Sequence, residues 1–139
     1  MEQLLDVTDR RGRALQNGGI VCGALLAVVG VWLLASATSP AVAGVLLVVG
    51  LALTVAGGRT QQRWEAEYRG HQIRFVNAPT TGEKLFIDDR LAARGGLGVR
   101  MELKATILDG RAAGDEVIAL VDAGMLTLRL QLFARPSSA

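Results

Sequence analysis

Two uncharged apolar runs separated by a very short link constrain this chain more than any other feature. Gly18–Ala35 and Ala41–Gly58 contain no charged residue, and only Ser36-Ala37-Thr38-Ser39-Pro40 lies between them. Each run covers about 18 to 20 residues, which as a helix spans roughly 27–30 Å, the thickness of a bilayer's hydrocarbon core. Lipid offers the backbone no hydrogen-bond partner, so a run placed there must be helical, and this overrides the strand preference of its many valines. The pattern predicts a membrane hairpin of two transmembrane helices.

The flanking charges orient it. Arg10, Arg11 and Arg13 precede the first run, Arg59 and Arg63 follow the second, and the link carries no charge. By the positive-inside rule both termini are expected in the cytoplasm, making a multi-pass protein of the inner (cytoplasmic) membrane of a bacterium. Pro40 suits the first turn of the second helix, where a missing N–H loses nothing. Trp32 fits an interfacial anchor near the outer end of the first. A competing reading is a signal peptide cleaved at the small-x-small site Ala35-Ser36-Ala37, although the first run is longer than a usual signal core and a second run follows at once.

Gly19, Gly23 and Ala27 recur at four-residue spacing with Gly30 near the same face, and Gly50 and Thr54 are spaced alike in the second run. Small residues let helices approach closely in lipid, either within one hairpin or between copies of the chain. Neither run contains a charged or amide side chain, which argues against a transporter or selective channel. Cys22, the single cysteine, has neither a partner for a disulfide nor neighbours at metal spacing and reads as a small apolar residue.

Residues 1–17 form a polar N-terminal segment, expected as a cytoplasmic topogenic tail. Asp6-Val7-Thr8-Asp9 is a candidate helix cap, and the arginines suit anionic headgroups. After the hairpin (18–58) the pattern changes to alternation. Trp64, Ala66 and Tyr68 alternate with Glu65, Glu67 and Arg69; Ile73 and Phe75 with Gln72 and Arg74; Met101, Leu103, Ala105 and Ile107 with Glu102, Lys104 and Thr106; and Leu126, Leu128, Leu130 and Leu132 with Thr127, Arg129 and Gln131. Period-two alternation bounded by Gly and Asp turns predicts antiparallel strands. Residues 59–135 are therefore expected to be a cytoplasmic all-β domain, a small sandwich or partly closed barrel of six or seven strands. Glu116–Val121, apolar on both faces, reads as a central or covered strand, and Pro136–Ala139 as a disordered tail.

Gly70-His71-x-Ile73-x-Phe75, then Thr80-Thr81-Gly82-x-Lys84 and Ile87-Asp88-Asp89, resemble a strand-turn-strand unit of the Fas apoptosis inhibitory molecule family. The resemblance covers about 20 residues, with Asp89 standing where the second turn usually has glycine. It implies an all-β domain that acts through protein contacts, without a known catalytic site.

Chemistry-bearing groups are sparse. From Gln62 onward, eleven Lys/Arg face ten Asp/Glu, without the clustered positive charge of a nucleic-acid surface. His71 is the only histidine and sits at a turn, so a zinc site or triad lacks partners. Asp88 and Asp89, with Glu83 nearby, read as turn chemistry ahead of an acid-base pair or Ca²⁺ site. Gly95-Gly96-Leu97-Gly98 has no helix or Lys-Ser/Thr after it, as a phosphate loop would need, although Arg94 and Arg100 flank it.

The residues thus nominate no catalytic, cofactor or metal site. They nominate helix–helix contacts at Gly19, Gly23, Ala27, Gly30, Gly50 and Thr54. Membrane-surface or anion contacts are expected at Arg10, Arg11, Arg13, Arg59, Arg63, Arg94 and Arg100. The expected role is non-enzymatic: a membrane-anchored interaction or assembly protein whose β domain meets a protein partner or another copy. The alternative is a ligand-sensing membrane effector of anti-phage type, oligomerising through its helices, with Arg74, Arg94 or Arg100 as anion contacts.

Overall fold

The computed structural model describes residues 1–96 and 98–137. The chain runs β1 (Glu2–Asp9), α1 (Arg11–Ala35), α2 (Pro40–Arg59), β2 (Gln62–Tyr68), β3 (His71–Ala78), β4 (Gly82–Ile87), β5 (Arg90–Arg94), β6 (Arg100–Thr106), a 3-10 turn at Gly110–Ala112, β7 (Glu116–Ala123) and β8 (Leu128–Arg135). The strands form two antiparallel four-stranded sheets, ordered β1-β8-β7-β6 and β2-β3-β4-β5. Their inner faces meet in one core. Ile73, Phe75 and Leu85 come from one sheet and Val117, Leu128, Leu130 and Leu132 from the other, all fully buried. Burying each such side chain contributes about 1.5–3 kcal/mol, so the alternation read from the sequence is what drives the sheets together. β7 is internal to its sheet, with Val117, Ala119 and Val121 on the core face and Ile118 buried on the opposite one.

Two hairpins use left-handed turns. Arg69 and Gly70 have φ of 51° and 87°, and Asp88 and Asp89 have 49° and 62°. Paired left-handed residues match the right-handed twist of the flanking strands, and Asp tolerates that region better than most side chains. Asp89 thus serves where glycine is usual.

The N-terminal segment differs from the expectation of a tail. Residues 2–9 are a full edge strand, β1, paired antiparallel with β8. A bulge between Gln3 and Leu5 shifts the register, and both Leu4 and Leu5 pack against the core. Asp6 accepts two hydrogen bonds from Arg129, at 3.2 and 2.9 Å, and one from Gln131 at 3.1 Å. The Arg129 contacts hold the Asp6 carboxyl below its ordinary range. Seven strands follow the helices and the eighth precedes them, so the hairpin is an insertion into the β sandwich. The C-terminal segment also differs from a free tail: the Ser137 N–H donates to Asp115 at 2.9 Å, while Ser138 and Ala139 lie outside the described residues.

α1 has 25 residues and α2 has 20, about 37 and 30 Å long. Both are long and apolar enough to cross a membrane, and only 11% and 17% of their most apolar stretches are buried. A core helix of a water-soluble domain would be mostly covered; here Val28, Trp32, Val45 and Val48 point outward with 62–66% of their surface exposed. The buried positions are Gln16, Gly23 and Gly30 on α1 and Ala43, Gly50 and Gly57 on α2. Each set repeats every seven residues, the spacing that keeps one seam facing a partner as two helices wind left-handedly.

The backbones touch along that seam. A Cβ on Gly23 would come within 2.6 Å of the Gly50 carbonyl, and one on Gly50 within 2.5 Å of the Ala27 nitrogen. Gly19 faces Gly57, Gly30 faces Ala43 and Leu47, and the Thr54 hydroxyl donates to the Gly50 carbonyl at 2.9 Å. All six small residues nominated from the sequence therefore line the contact between the two helices of one chain.

Gly50→Ala is expected to lower the thermal midpoint of the detergent-solubilised protein by the equivalent of about 1–3 kcal/mol, as overpacking does. Gly44→Ala, which meets nothing within 4 Å, should leave it unchanged. Cleavage after Ala37 would remove β1 and leave β8 an open edge. Intact-mass measurement of protein recovered from cells should find residues 2–9 retained.

Candidate functional site

The junction between hairpin and sandwich concentrates the buried polar groups. β1 ends and β2 begins at this neck, and α1 starts at Arg11, so its first two turns stand outside the apolar run. Those turns are fastened by side chains. The Asp9 carboxylate accepts the Gly12 N–H at 2.8 Å and the Gln62 amide at 3.0 Å. Gln16, fully buried, donates to the Thr60 carbonyl at 3.3 Å and accepts from Arg13 at 3.2 Å. Arg13 also donates to the Gly124 carbonyl at 3.1 Å, and Asn17 to the Met125 carbonyl. Helix α1 is thereby tied both to the exit of α2 and to the β7–β8 turn.

A polar row continues into the sandwich. Gln62 pairs in register with Asn77, and Asn77 with Glu83. All three side chains are buried, and Asn77 donates to Gln62 at 3.0 Å. Glu83 ends the row with Oε2 buried and without a partner among the described residues. A Cβ on Gly95 would lie 3.2 Å from that oxygen, so glycine there leaves the carboxyl its space. Burial raises the Glu83 carboxyl above its ordinary range, opposed by its own backbone N–H and by the charge of Arg13.

Cations divide into paired and unpaired. Arg69, Arg74, Arg90, Arg100, Lys104, Arg129 and Arg135 each have a carboxylate within 4.0 Å. Among the described residues Arg10, Arg11, Arg13, Arg59, Arg63, Lys84, Arg94 and Arg111 have none, and all of these but Arg111, in the 3-10 turn of the far end, belong to the neck end. Arg63, Val76, Lys84 and Arg94 form one cross-strand row on the outer face of their sheet.

At the far end, a cleft of about 430 Å³ is lined by His71, Asp88, Leu91 and Leu108 among others. His71 Nδ1 lies 2.6 Å from Asp88, whose other oxygen accepts the Gln72 N–H at 2.9 Å. These contacts, the histidine's first, hold the Asp88 carboxyl below its ordinary range. His71 Nε2 faces Gly110, where a Cβ would come within 2.9 Å. The imidazole is thus clamped between two turns. Asp89 turns away to Arg74 at 2.8 Å, and Arg74 lies 5.0 Å above Phe86. Asp115 fastens the same end, accepting from Tyr68 and Arg69, each at 3.1 Å. The Ser137 N–H is the main cause that holds its carboxyl low.

Of the nominated arginines, Arg10, Arg11, Arg13, Arg59, Arg63 and Arg94 gather at the neck. Arg100 sits across on the other sheet, 3.6 Å from Asp122. The glycine loop carries the chain between sheets: the Gly95 N–H donates to the Glu83 carbonyl at 2.8 Å, and Leu97 lies outside the described residues. Asp9, part of the helix cap read from the sequence, does hold the first turn of α1; the sequence reading has Glu83 only as a neighbour of the Asp88-Asp89 turn, and misses Gln16, Gln62 and Asn77. One signal was present, since Gln16 stands seven residues before Gly23 and fourteen before Gly30. Compared with protein-family models, curated proteins and solved structures, the chain matches none.

Glu83→Gln tests the buried carboxyl. A raised folded-state pKa means that stability is full below the unfolded value, near 4.5, and is lost as pH rises through the folded one. The variant should therefore melt above the parent at neutral pH, and the two should converge in thermal scans below about pH 4.

Proposed function

We propose that this chain is an integral membrane protein whose helical hairpin holds a β sandwich at the cytoplasmic face of a bacterial inner membrane, and that the sandwich acts by binding a protein. The observation that carries the reading is the insertion, between β1 and β2 of one sandwich, of an apolar hairpin of which little is buried. Both ends of such a hairpin must lie on one side of a bilayer. The unpaired arginines at that end favour the cytoplasmic side.

A non-enzymatic role is supported by how the reactive groups are used. His71 and Asp88 join two turns, Asp89 pairs with Arg74, and Asp115 holds Tyr68, Arg69 and Ser137. The small-residue seam is occupied by the chain's own helices, and the exterior of the sandwich offers a surface for assembly. Leu91 and Leu108, 53% and 79% exposed beside the far cleft, supply apolar contact area there.

The test is crosslinking in intact cells followed by carbonate washing and mild-detergent isolation of the full chain. The reading expects a carbonate-resistant membrane fraction and recovery with a stoichiometric second protein or copy. Release by carbonate, or recovery only as a partnerless monomer, would overturn it.

A further inference from the structure

The alternation Leu126-x-Leu128-x-Leu130-x-Leu132 predicts a strand that buries Leu126. The structure starts β8 at Leu128 instead. Leu126 lies in the β7–β8 turn, closed by the Gly124 N–H on the Thr127 carbonyl at 2.8 Å. Met125 and Leu126 at its tip are 77% and 64% exposed. Val99, 70% exposed, lies beside them, because its carbonyl accepts the Ala123 N–H at 2.7 Å. A small sandwich gains nothing in water from three large apolar side chains at one end.

Their height explains them. Asn17 donates to the Met125 carbonyl and Arg13 to the Gly124 carbonyl. Asn17 is the last residue before the uncharged run that begins at Gly18. The turn is therefore fastened to α1 at the level where the helix passes from polar to apolar sequence. If the hairpin spans a bilayer, that level is the boundary between headgroups and hydrocarbon. The unpaired cations of the neck, including the Arg63, Lys84 and Arg94 row, flank the same end, as the headgroup layer of an anionic membrane would require.

We propose that the β7–β8 turn is a membrane-inserting wedge, with Met125 and Leu126 entering the acyl boundary of the bilayer that the hairpin crosses. The sandwich then has a third attachment beside the two helices and stands in a fixed orientation with its far cleft toward the cytoplasm. This rests on the membrane reading above, and the experiment separates the two.

Full-length Cys22→Ser protein would carry one added cysteine: Met125→Cys or Leu126→Cys at the wedge, Leu108→Cys at the far end, or Val48→Cys midway along α2. Each is labelled with an environment-sensitive fluorophore and reconstituted in phosphatidylcholine–phosphatidylglycerol vesicles containing acyl-chain nitroxide lipid. The expected result is strong quenching at position 48, quenching at 125 and 126 several-fold above that at 108, and little at 108. Quenching at 48 with none at 125 or 126 overturns the wedge and leaves the hairpin reading intact. Equal quenching at 108 and 125 overturns it as well. Absence of quenching at 48 overturns the membrane reading and the wedge with it.

Discussion

The pairing of β1 with β8 is the constraint on which the rest of the structure depends. The chain enters a sheet before the apolar helices and returns to the same sandwich after them. The two ends of the hairpin away from its link are therefore held side by side. Helices anchored that closely must pack along their length, and only small residues permit the approach. A Cβ at Gly23 or Gly50 would collide with backbone, so the glycine seam and the edge strand are two consequences of one topology. The Asp6–Arg129–Gln131 contacts on the outer face set the register of that pairing.

Inserting a hairpin into a sandwich leaves polar backbone at the crossing, and the neck residues answer it. The start of α1, the end of α2 and the β7–β8 turn all expose groups that secondary structure leaves unpaired. Asp9, Arg13, Gln16 and Asn17 supply their partners. A buried group left without one costs about 1–3 kcal/mol, which is why side chains this polar belong in a row that alternation would otherwise fill with leucine. Glu83 is the exception, buried with one oxygen unpaired. Beside Gly95 and near the charge of Arg13, its carboxyl is raised by burial above its ordinary range, which ties the stability of the neck to its titration.

Much of this was legible in the chain itself. Long uncharged runs identified the helices, and period-two alternation identified the strands after them, because both patterns report which faces avoid water. β1 escaped because its apolar residues Leu4 and Leu5 are adjacent, and only a bulge lets both reach the core. Leu126 was misplaced for the opposite reason. Its alternation is perfect, but the turn ends one pair later and exposes it. The neck was hidden because Gln62, Asn77 and Glu83 sit at inward positions that a hydrophobicity pattern assigns to apolar residues, and their partners are distant in sequence.

By itself, the sequence determined two apolar helices with arginines at the ends away from their link and an alternating-strand domain after them, since those depend on local period and solvent preference alone. Only the tertiary structure decided that residues 2–9 complete the sandwich, that the small residues serve the chain's own helices, and that a loop tip stands level with the start of the apolar run. Those facts depend on long-range pairing. Antiparallel strands such as β1 and β8 meet across more than a hundred residues, and no local pattern encodes which edge a strand will join.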